Sequence, residues 1–252
     1  MLGPALGALA LVVVPLVGLL QRMPWSDLGS ELTRPEVGQA MVLSLECSLG
    51  ALALAVALGV PLAWLLARVA FPGRSVVRAL VTLPMVLPPV VGGVALLYAF
   101  GRHGVVGGHL GWLPGFPLPF TTGAAVLAEA FVAMPFLVVT AEAGLRQVDP
   151  RLEEAAATLG AGPWRRFLTV TVPLVAPSLG AGAALCWARA LGEFGATVTF
   201  AGNLPGRTQT MPSAIYVSLQ SRPQGAVALS LLLLAASFAV LVALRGRWLG
   251  AG

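Results

Sequence analysis

The sequence predicts an all-α integral membrane protein with six transmembrane helices. The chain is 58% hydrophobic and only 10% charged, and its mean hydropathy is +0.89. Several apolar runs reach about 20 residues, the length of helix that crosses a bilayer core of roughly 30 Å. Only helices and closed barrels can span lipid, and the apolar run at 229–244 lacks the two-residue alternation of barrel strands. The spans are therefore predicted to be helices.

Six apolar runs mark these spans, at about 2–20, 38–67, 76–100, 122–144, 173–197 and 225–244. The second and fifth are longer than a straight span needs, so both are expected to tilt or bend. The first run lacks a basic n-region, which favours an uncleaved anchor over a cleaved signal peptide. The chain accordingly divides into an anchor helix with an external loop (1–37), a transmembrane domain (38–244) and a short cytoplasmic tail (245–252).

The basic residues set the orientation, and all 15 of them are arginine. If the N-terminus is cytoplasmic, five arginines fall outside the membrane and Arg189 falls within a span. Nine fall inside: Arg68, Arg74, Arg78, Arg146, Arg151, Arg165, Arg166, Arg245 and Arg247. The positive-inside rule therefore favours both termini in the cytoplasm. The net charge of +5 follows from this topology, and no arginine cluster with interleaved aromatics indicates a nucleic-acid partner.

The cysteines and histidines do not suggest a metal site. Cys47 and Cys186 fall within predicted spans, far from any CxxC spacing, and are expected to be buried small apolar residues. His103 and His109 lie in a Gly-rich external loop without a nearby carboxylate or cysteine. Zinc normally takes three or four protein ligands, so a solvated loop is the preferred interpretation over a metal site.

A polar stretch at 149–163 (DPRLEEAAATLGAGP) stands out in this apolar chain. Asp149 can cap a helix, Pro150 suits its first position, and Glu153 and Glu154 lie near its positive end. The helix is predicted to stop at Gly160 and Gly162, which are followed by Pro163. It would have about nine or ten residues, fewer than the roughly 12 to 15 that are marginally stable alone in water, so it must be docked against another surface. Its small middle residues, which permit close approach, are Ala155, Ala156 and Ala157.

The spacing of this stretch resembles the coupling loop of ABC-type import permeases. Glu154, Ala155 and Ala156 are followed by Gly160 and then by Val170, Val172 and Pro173, in the pattern EAA, three residues, G, nine residues, I-x-L-P with valines at the two apolar positions. In that family the short helix inserts into a groove on a cytoplasmic ATPase subunit. The resemblance therefore implies that the loop 145–172 couples this chain to an ATPase, although a connector packed on its own bundle is the alternative.

The chain contains no lysine, so it cannot form a P-loop, which needs a lysine to reach the phosphates. ATP and Mg²⁺ are therefore expected on a partner ATPase, and no cofactor is expected on this chain.

Two segments, VTLPMVLPPV (81–90) and VTVPLVAPSL (170–179), repeat a proline pair. Each segment opens a predicted span on its cytoplasmic side. The first proline of each pair, Pro84 or Pro173, suits a helix start, whereas Pro88 or Pro177 removes a backbone hydrogen bond and bends the helix. The pair is predicted to splay spans three and five and to shape the inner mouth of a pathway, with coincidence in a proline-rich chain as the alternative.

The fifth span carries two charges, Arg189 and Glu193, four residues apart and so on one helical face. Such charges are costly in a bilayer and are expected to face protein or water. They either neutralise each other for structural reasons or lie beside a polar pathway with Thr197 and Thr199, whose hydroxyls can donate to an oxyanion. Glu46 and Glu129, also in spans, are both expected to make structural hydrogen bonds.

The stretch LGEFGATVTFAGN followed by PGRTQTMPSAIY, within 187–216, resembles the molybdate branch of the ABC importers. The resemblance covers about 38–244 and implies a type I ABC importer fold. It also implies a homodimer with the pathway at its interface, two copies of an ATPase, a periplasmic or lipid-anchored binding protein, and a place in the cytoplasmic membrane of a bacterium or archaeon. The substrate would be molybdate and tungstate; the sulfate and thiosulfate permeases are the neighbouring alternative.

Other function classes find little support. The chain has no HExxH or G-x-S-x-G motif and no paired aspartates in spans, so an intramembrane enzyme is disfavoured. A passive channel is also disfavoured, because it would need no coupling helix.

Overall fold

The computed structural model describes residues 2–23, 25–110 and 118–248, and the described chain is helical without strands. Residues 249–252 of the predicted tail lie outside the described residues. The helices, in chain order, are α1 (Leu2–Gln21), α2 (Leu28–Leu32), α3 (Pro35–Arg68), α4 (Arg74–Val86), α5 (Pro89–Phe100), α6 (Gly107–Leu110), α7 (Thr122–Gln147), α8 (Pro150–Thr158), α9 (Pro163–Arg166), α10 (Val172–Leu191), α11 (Gly195–Phe200), α12 (Met211–Ser221) and α13 (Pro223–Trp248). A π-helical turn, Phe167–Thr171, joins α9 to α10.

Within the described ranges, four helices are long and apolar enough to cross a membrane: α1, α3, α7 and the continuous helix Pro163–Leu191. A fifth span would be formed by α4 and α5 together. The predicted sixth span, 225–244, lies within α13, which has 26 residues. The all-helical membrane fold is confirmed, whereas the count of six spans stays a prediction.

The third predicted span, 76–100, is not one straight helix, because α4 and α5 meet at an angle of 119°. Pro88 and Pro89 lie at the break, where both lack the N–H that a helical hydrogen bond requires. A residue before proline is driven out of the helical region, and Leu87 is extended, with φ −65° and ψ 135°. The bend predicted at Pro88 is confirmed, but Pro84 lies inside α4 and the prediction that it starts a helix was wrong.

The matching prolines of the fifth span behave differently. Pro173 lies in the first turn of α10, as predicted, but the helix begins upstream at Pro163 and continues through the π-helical turn. Pro177 lies inside α10, which runs on to Leu191. The two segments therefore share a sequence pattern without sharing a sharp break.

The fifth predicted span also ends earlier than expected. It was predicted to run through 173–197, but α10 ends at Leu191 and α11 begins at Gly195. Gly192 follows α10 as its C-cap residue, consistent with the weak helix preference of glycine. The backbone N–H of Ala196 then donates to Glu193 Oε1 at 2.8 Å, so this carboxylate satisfies a first-turn N–H of α11, whose N-cap residue is Phe194.

The core surrounds α7, which packs between α3 and α10. Small side chains fill the contact, among them Ala51, Ala55, Ala130, Ala133 and Ala190, and allow the helices to approach closely. Cys47 and Cys186 are both fully buried, which confirms their predicted role as small core residues. By contrast, α1 has no buried residue, as expected for a helix in contact with lipid.

Candidate coupling helix and translocation residues

The polar stretch forms the short helix that its sequence predicts. Helix α8 has nine residues, and Asp149 Oδ1 accepts a hydrogen bond from the backbone N–H of Arg151 at 3.0 Å. Gly160 follows with a φ of +83°, in the left-handed region that favours glycine. Gly162 is the N-cap residue of the next helix, whose first residue is Pro163. The predicted capping and termination are confirmed.

Helix α8 buries none of its residues in this chain. Ala155 and Ala157 are exposed, and Ala156 is half-buried. Large apolar side chains stand exposed next to them: Leu152 on the helix, Leu159 (88% exposed) and Trp164 (76% exposed). The helix and the turn after it therefore present an apolar surface that the described part of the chain does not cover.

The two adjacent glutamates of α8 have different surroundings. Glu154 is exposed. Glu153 Oε1 lies 3.0 Å from Arg68 Nη2 and accepts a hydrogen bond from Thr171 Oγ1 at 2.9 Å. Glu153 thus contacts its own bundle, and the sequence alone did not indicate Arg68 or Thr171 as its partners.

Arg189 and Glu193 form an ion pair, although the helix ends between them. Arg189 Nη2 lies 2.6 Å from Glu193 Oε2, and Glu193 is 1% exposed. The prediction that both lie on one helical face was wrong, because Glu193 occupies the break between α10 and α11. The other carboxylate oxygen accepts from Ala196 N, so both oxygens of Glu193 are paired with donors.

The two predicted pathway threonines differ in what their hydroxyls do. Thr199 Oγ1 donates to the carbonyl of Gly195 at 2.7 Å, and Thr199 packs against α5 at Gly93. Thr197 is fully buried, and its Oγ1 has no hydrogen-bond partner among the described residues. The structure brings Arg189 and Glu193 into contact, but the hydroxyl of neither threonine bonds to this pair.

Sequence reasoning missed one cluster and misjudged one residue. Glu142 of α7 binds two arginines, with Arg78 Nη2 at 2.5 Å and Arg146 Nη2 at 2.7 Å. The four-residue spacing of Glu142 and Arg146 could have indicated that pair, but Arg78 is distant in sequence.

Glu129 is 1% exposed, and its Oε2 has no hydrogen-bond partner among the described residues, so the structural hydrogen bonding expected there is absent for that oxygen.

No group of three or more His, Cys, Asp or Glu side chains within the described ranges could hold a metal ion. His109 Nδ1 lies 2.8 Å from the carbonyl oxygen of Val105, in the turn that precedes α6.

Comparisons with known proteins agree with these features. Residues 59–249 match the family described as binding-protein-dependent transport system inner membrane component. The chain is 44% identical over 246 residues to the molybdenum transport system permease protein ModB of Mycobacterium tuberculosis (97% of this chain, 92% of the relative). It is 43% identical over 218 residues to ModB of Escherichia coli K12 (86% and 95%). It is 38% identical over 241 residues to the sulfate transport system permease protein CysT of the same strain (94% and 86%).

Solved structures show the same fold. A bacterial ABC transporter involved in the import of the acidic polysaccharide alginate matches with a TM-score of 0.77 at 18% identity, covering 100% of this chain and 94% of that one. The MetNI methionine ABC transporter in an inward-facing conformation matches with a TM-score of 0.66 at 18% identity, covering 86% and 96%. The predicted resemblance to molybdate permeases is confirmed, and the chain belongs to the inner membrane components of binding-protein-dependent transport systems, with the fold of a type I ABC importer permease.

Proposed function

We propose that this chain is the permease subunit of an ATP-driven importer that moves molybdate, and also tungstate, across the cytoplasmic membrane of a bacterium or archaeon. The choice of substrate rests on the 44% identity of this chain, over 246 residues, to a permease named for molybdenum transport. Tungstate is included because it is, like molybdate, a tetrahedral dianion. This chain forms the path, and no catalytic residue is proposed on it.

The energy comes from a separate ATPase subunit that docks on α8. The lack of any lysine supports this division, because a P-loop needs one. The surface of α8 supports it as well: a nine-residue helix that buries none of its residues is too short to be stable on its own. A groove on the ATPase would cover the exposed Leu152, Leu159 and Trp164. ATP and Mg²⁺ then bind the ATPase, while the loop 145–172 transmits its movement.

The complete importer contains two copies of this chain, two copies of the ATPase and a periplasmic or lipid-anchored binding protein. A related fold has been solved as the alginate ABC transporter in complex with an alginate pentasaccharide-bound periplasmic protein, which supports a partner on the outer side. Exposed apolar residues on α4 and α5, such as Val86 and Tyr98, support a contact with a second copy. The domain 38–244 would carry the path, with α1 in lipid and both termini in the cytoplasm.

The proposed path passes the break between α10 and α11. Glu193 would repel a dianion if its charge were free, but Arg189 and the Ala196 N–H both compensate it. Thr197 and Thr199 line the proposed path only after a rearrangement, since Thr199 donates its hydroxyl hydrogen to Gly195 in this conformation. The inner mouth of the path would be shaped by the helix break at Pro88, with Pro84 before it, and by the proline pair Pro173 and Pro177.

A sulfate or thiosulfate permease is the second candidate, favoured by the 38% identity to CysT over 241 residues. Sulfate is also a tetrahedral dianion, so fold and charge do not separate the two. Competition between molybdate and sulfate for uptake separates them.

Cross-linking tests the docking of the ATPase directly. Ala157→Cys places a thiol on the exposed surface of α8, and the two native cysteines are buried. We expect this variant to cross-link to the ATPase in the assembled importer. Ser30→Cys, exposed on α2 at the predicted outer side, is the matched control and should give no product. A cross-link from the control but none from α8 would overturn the proposed docking.

A further inference from the structure

The cytoplasmic ends of three long helices converge on the Glu153 carboxylate. Arg68, whose Nη2 lies 3.0 Å from Glu153 Oε1, is the last residue of α3. The same Nη2 donates to the carbonyl of Val148, the C-cap residue that follows α7, at 3.3 Å. Thr171, which donates to Glu153 at 2.9 Å, belongs to the π-helical turn that leads into α10. We call these three side chains, Arg68, Glu153 and Thr171, the loop node.

The loop node is partly withdrawn from water. Thr171 is 1% exposed, and the side chains of Arg68 and Glu153 are 16% and 26% exposed. Hydrogen bonds that involve a charged partner are roughly twice as strong as neutral ones, and partial burial reduces their screening by salt. The carboxylate therefore makes a firm contact between α8 and the bundle.

Apolar packing does not fix α8 to the bundle as firmly as these hydrogen bonds do. None of its residues is buried, and its middle consists of alanines, which bury little area. The π-helical turn adjoins the loop node, and such turns are frequent at functional sites. Without the node, a force applied to α8 could shift this short helix without moving the spans.

We propose that Glu153 is a positioning residue that transmits the movement of α8 to α3, α7 and α10 through Arg68 and Thr171. Its neighbour Glu154, which is exposed, faces the ATPase instead. The division between the two glutamates rests on the proposed function, because it assumes that a docked ATPase moves α8. Loss of the node would then uncouple ATP hydrolysis from transport without separating the subunits.

The test compares Glu153→Gln, Arg68→Gln and Thr171→Val in vesicles that hold the complete importer with its ATPase and binding protein. Three quantities are measured: ATPase co-purification, ATP hydrolysis, and molybdate taken up per ATP hydrolysed. We expect co-purification and hydrolysis to persist, while uptake per ATP falls about tenfold for the two charge-removing variants, as for loss of a charge-assisted hydrogen bond. Thr171→Val keeps the ion pair and should show a smaller fall. The exchanged pair Arg68→Glu with Glu153→Arg should recover part of the coupling.

The matched control is Arg34→Gln, which removes the ion pair of Arg34 with Glu31 (2.9 Å) at the opposite end of α3. Its uptake per ATP should equal that of the wild type. Wild-type uptake per ATP in Glu153→Gln and Thr171→Val would overturn the inference, as would loss of ATPase co-purification in Glu153→Gln. If the wild-type importer itself shows no ATP-dependent uptake, the proposed function fails. If the wild type transports molybdate and the variants take up as much molybdate per ATP, only the inference about the loop node fails.

Discussion

Replacement of Gly160 by leucine should weaken docking of the ATPase without disturbing the membrane domain. Gly160 has a φ of +83°, and an L-residue in this left-handed region is strained by about 1 to 2 kcal/mol. A Cβ placed there meets no heavy atom within 4 Å, so within this chain the strain is the main cost. That cost is confined to the exposed end of α8, and membrane insertion should be unaffected.

The bulk of the leucine matters only if a partner covers this turn. An alanine at this position carries the same backbone strain with little bulk, so the difference between Gly160→Leu and Gly160→Ala isolates the contact. Overpacking of a fitted interface typically costs about 1 to 3 kcal/mol. Gly160→Leu should therefore bind the ATPase about 5- to 150-fold more weakly than Gly160→Ala. The assay is the Kd of purified ATPase for the permease in detergent or nanodiscs.

Two further variants complete this experiment. Gly160→Asn should bind better than Gly160→Leu, because asparagine is smaller than leucine and tolerates the left-handed conformation. Gly29→Leu introduces the same side chain into open space on α2 and should leave ATPase binding unchanged. Equal ATPase binding by Gly160→Leu and Gly160→Ala would refute the docking of α8 in a fitted groove.

Three other predictions concern the bundle. Pro88→Ala restores a backbone donor at the 119° break between α4 and α5 and should slow molybdate uptake, and Pro177→Ala should slow it less because α10 is unbroken there. Arg189→Gln leaves the buried Glu193 without its cation and should destabilise the protein by about 3 kcal/mol, measured as a lower Tm in detergent. Gly93→Ala places a Cβ 2.7 Å from a carbon on α11 and 2.8 Å from a backbone oxygen, which should cost about 1 to 3 kcal/mol by the same measurement.

Each of these predictions has its own control. Wild-type uptake rates in both proline variants would count against a role of the prolines in shaping the path. Combining Arg189→Gln with Glu193→Gln should recover much of the lost Tm, and no recovery would mean that the pair is not the cause. Gly29→Ala, in open space, should leave the Tm unchanged, and a Gly93→Ala protein that melts like it would contradict the close contact of α5 and α11.

Local signals allowed α8 to be predicted almost residue by residue. Asp149 and Pro150 start α8, and Gly160 with Pro163 ends the segment, because capping and the left-handed turn depend on neighbouring residues only. The burial of Cys47 was also predictable from its place in an apolar run.

Helix breaks were harder to predict because the same residues permit two outcomes. A proline can start a helix or lie inside one, so the pattern that correctly indicated a bend at Pro88 also indicated a helix start at Pro84, which instead lies inside α4. Glu193 continues an apolar helical pattern, yet its carboxylate satisfies a first-turn N–H of α11 once Gly192 ends α10.

Contacts between distant residues were not predictable from one sequence. Arg68 and Glu153 lie 85 positions apart, and Thr171 is 18 positions from Glu153. The positive-inside rule predicts a cytoplasmic position for Arg68, but only the packing of α3 against α7 brings it to the end of α7 and to α8. The loop node is therefore a product of tertiary structure.

Uptake of labelled molybdate tests the central claim most directly. Vesicles would hold this chain with its ATPase and binding protein, with and without ATP, and with excess tungstate or sulfate as competitor. We predict uptake that requires ATP and that tungstate blocks and sulfate does not. Uptake indifferent to ATP would contradict the importer, and strong competition by sulfate would assign the chain to sulfate transport instead.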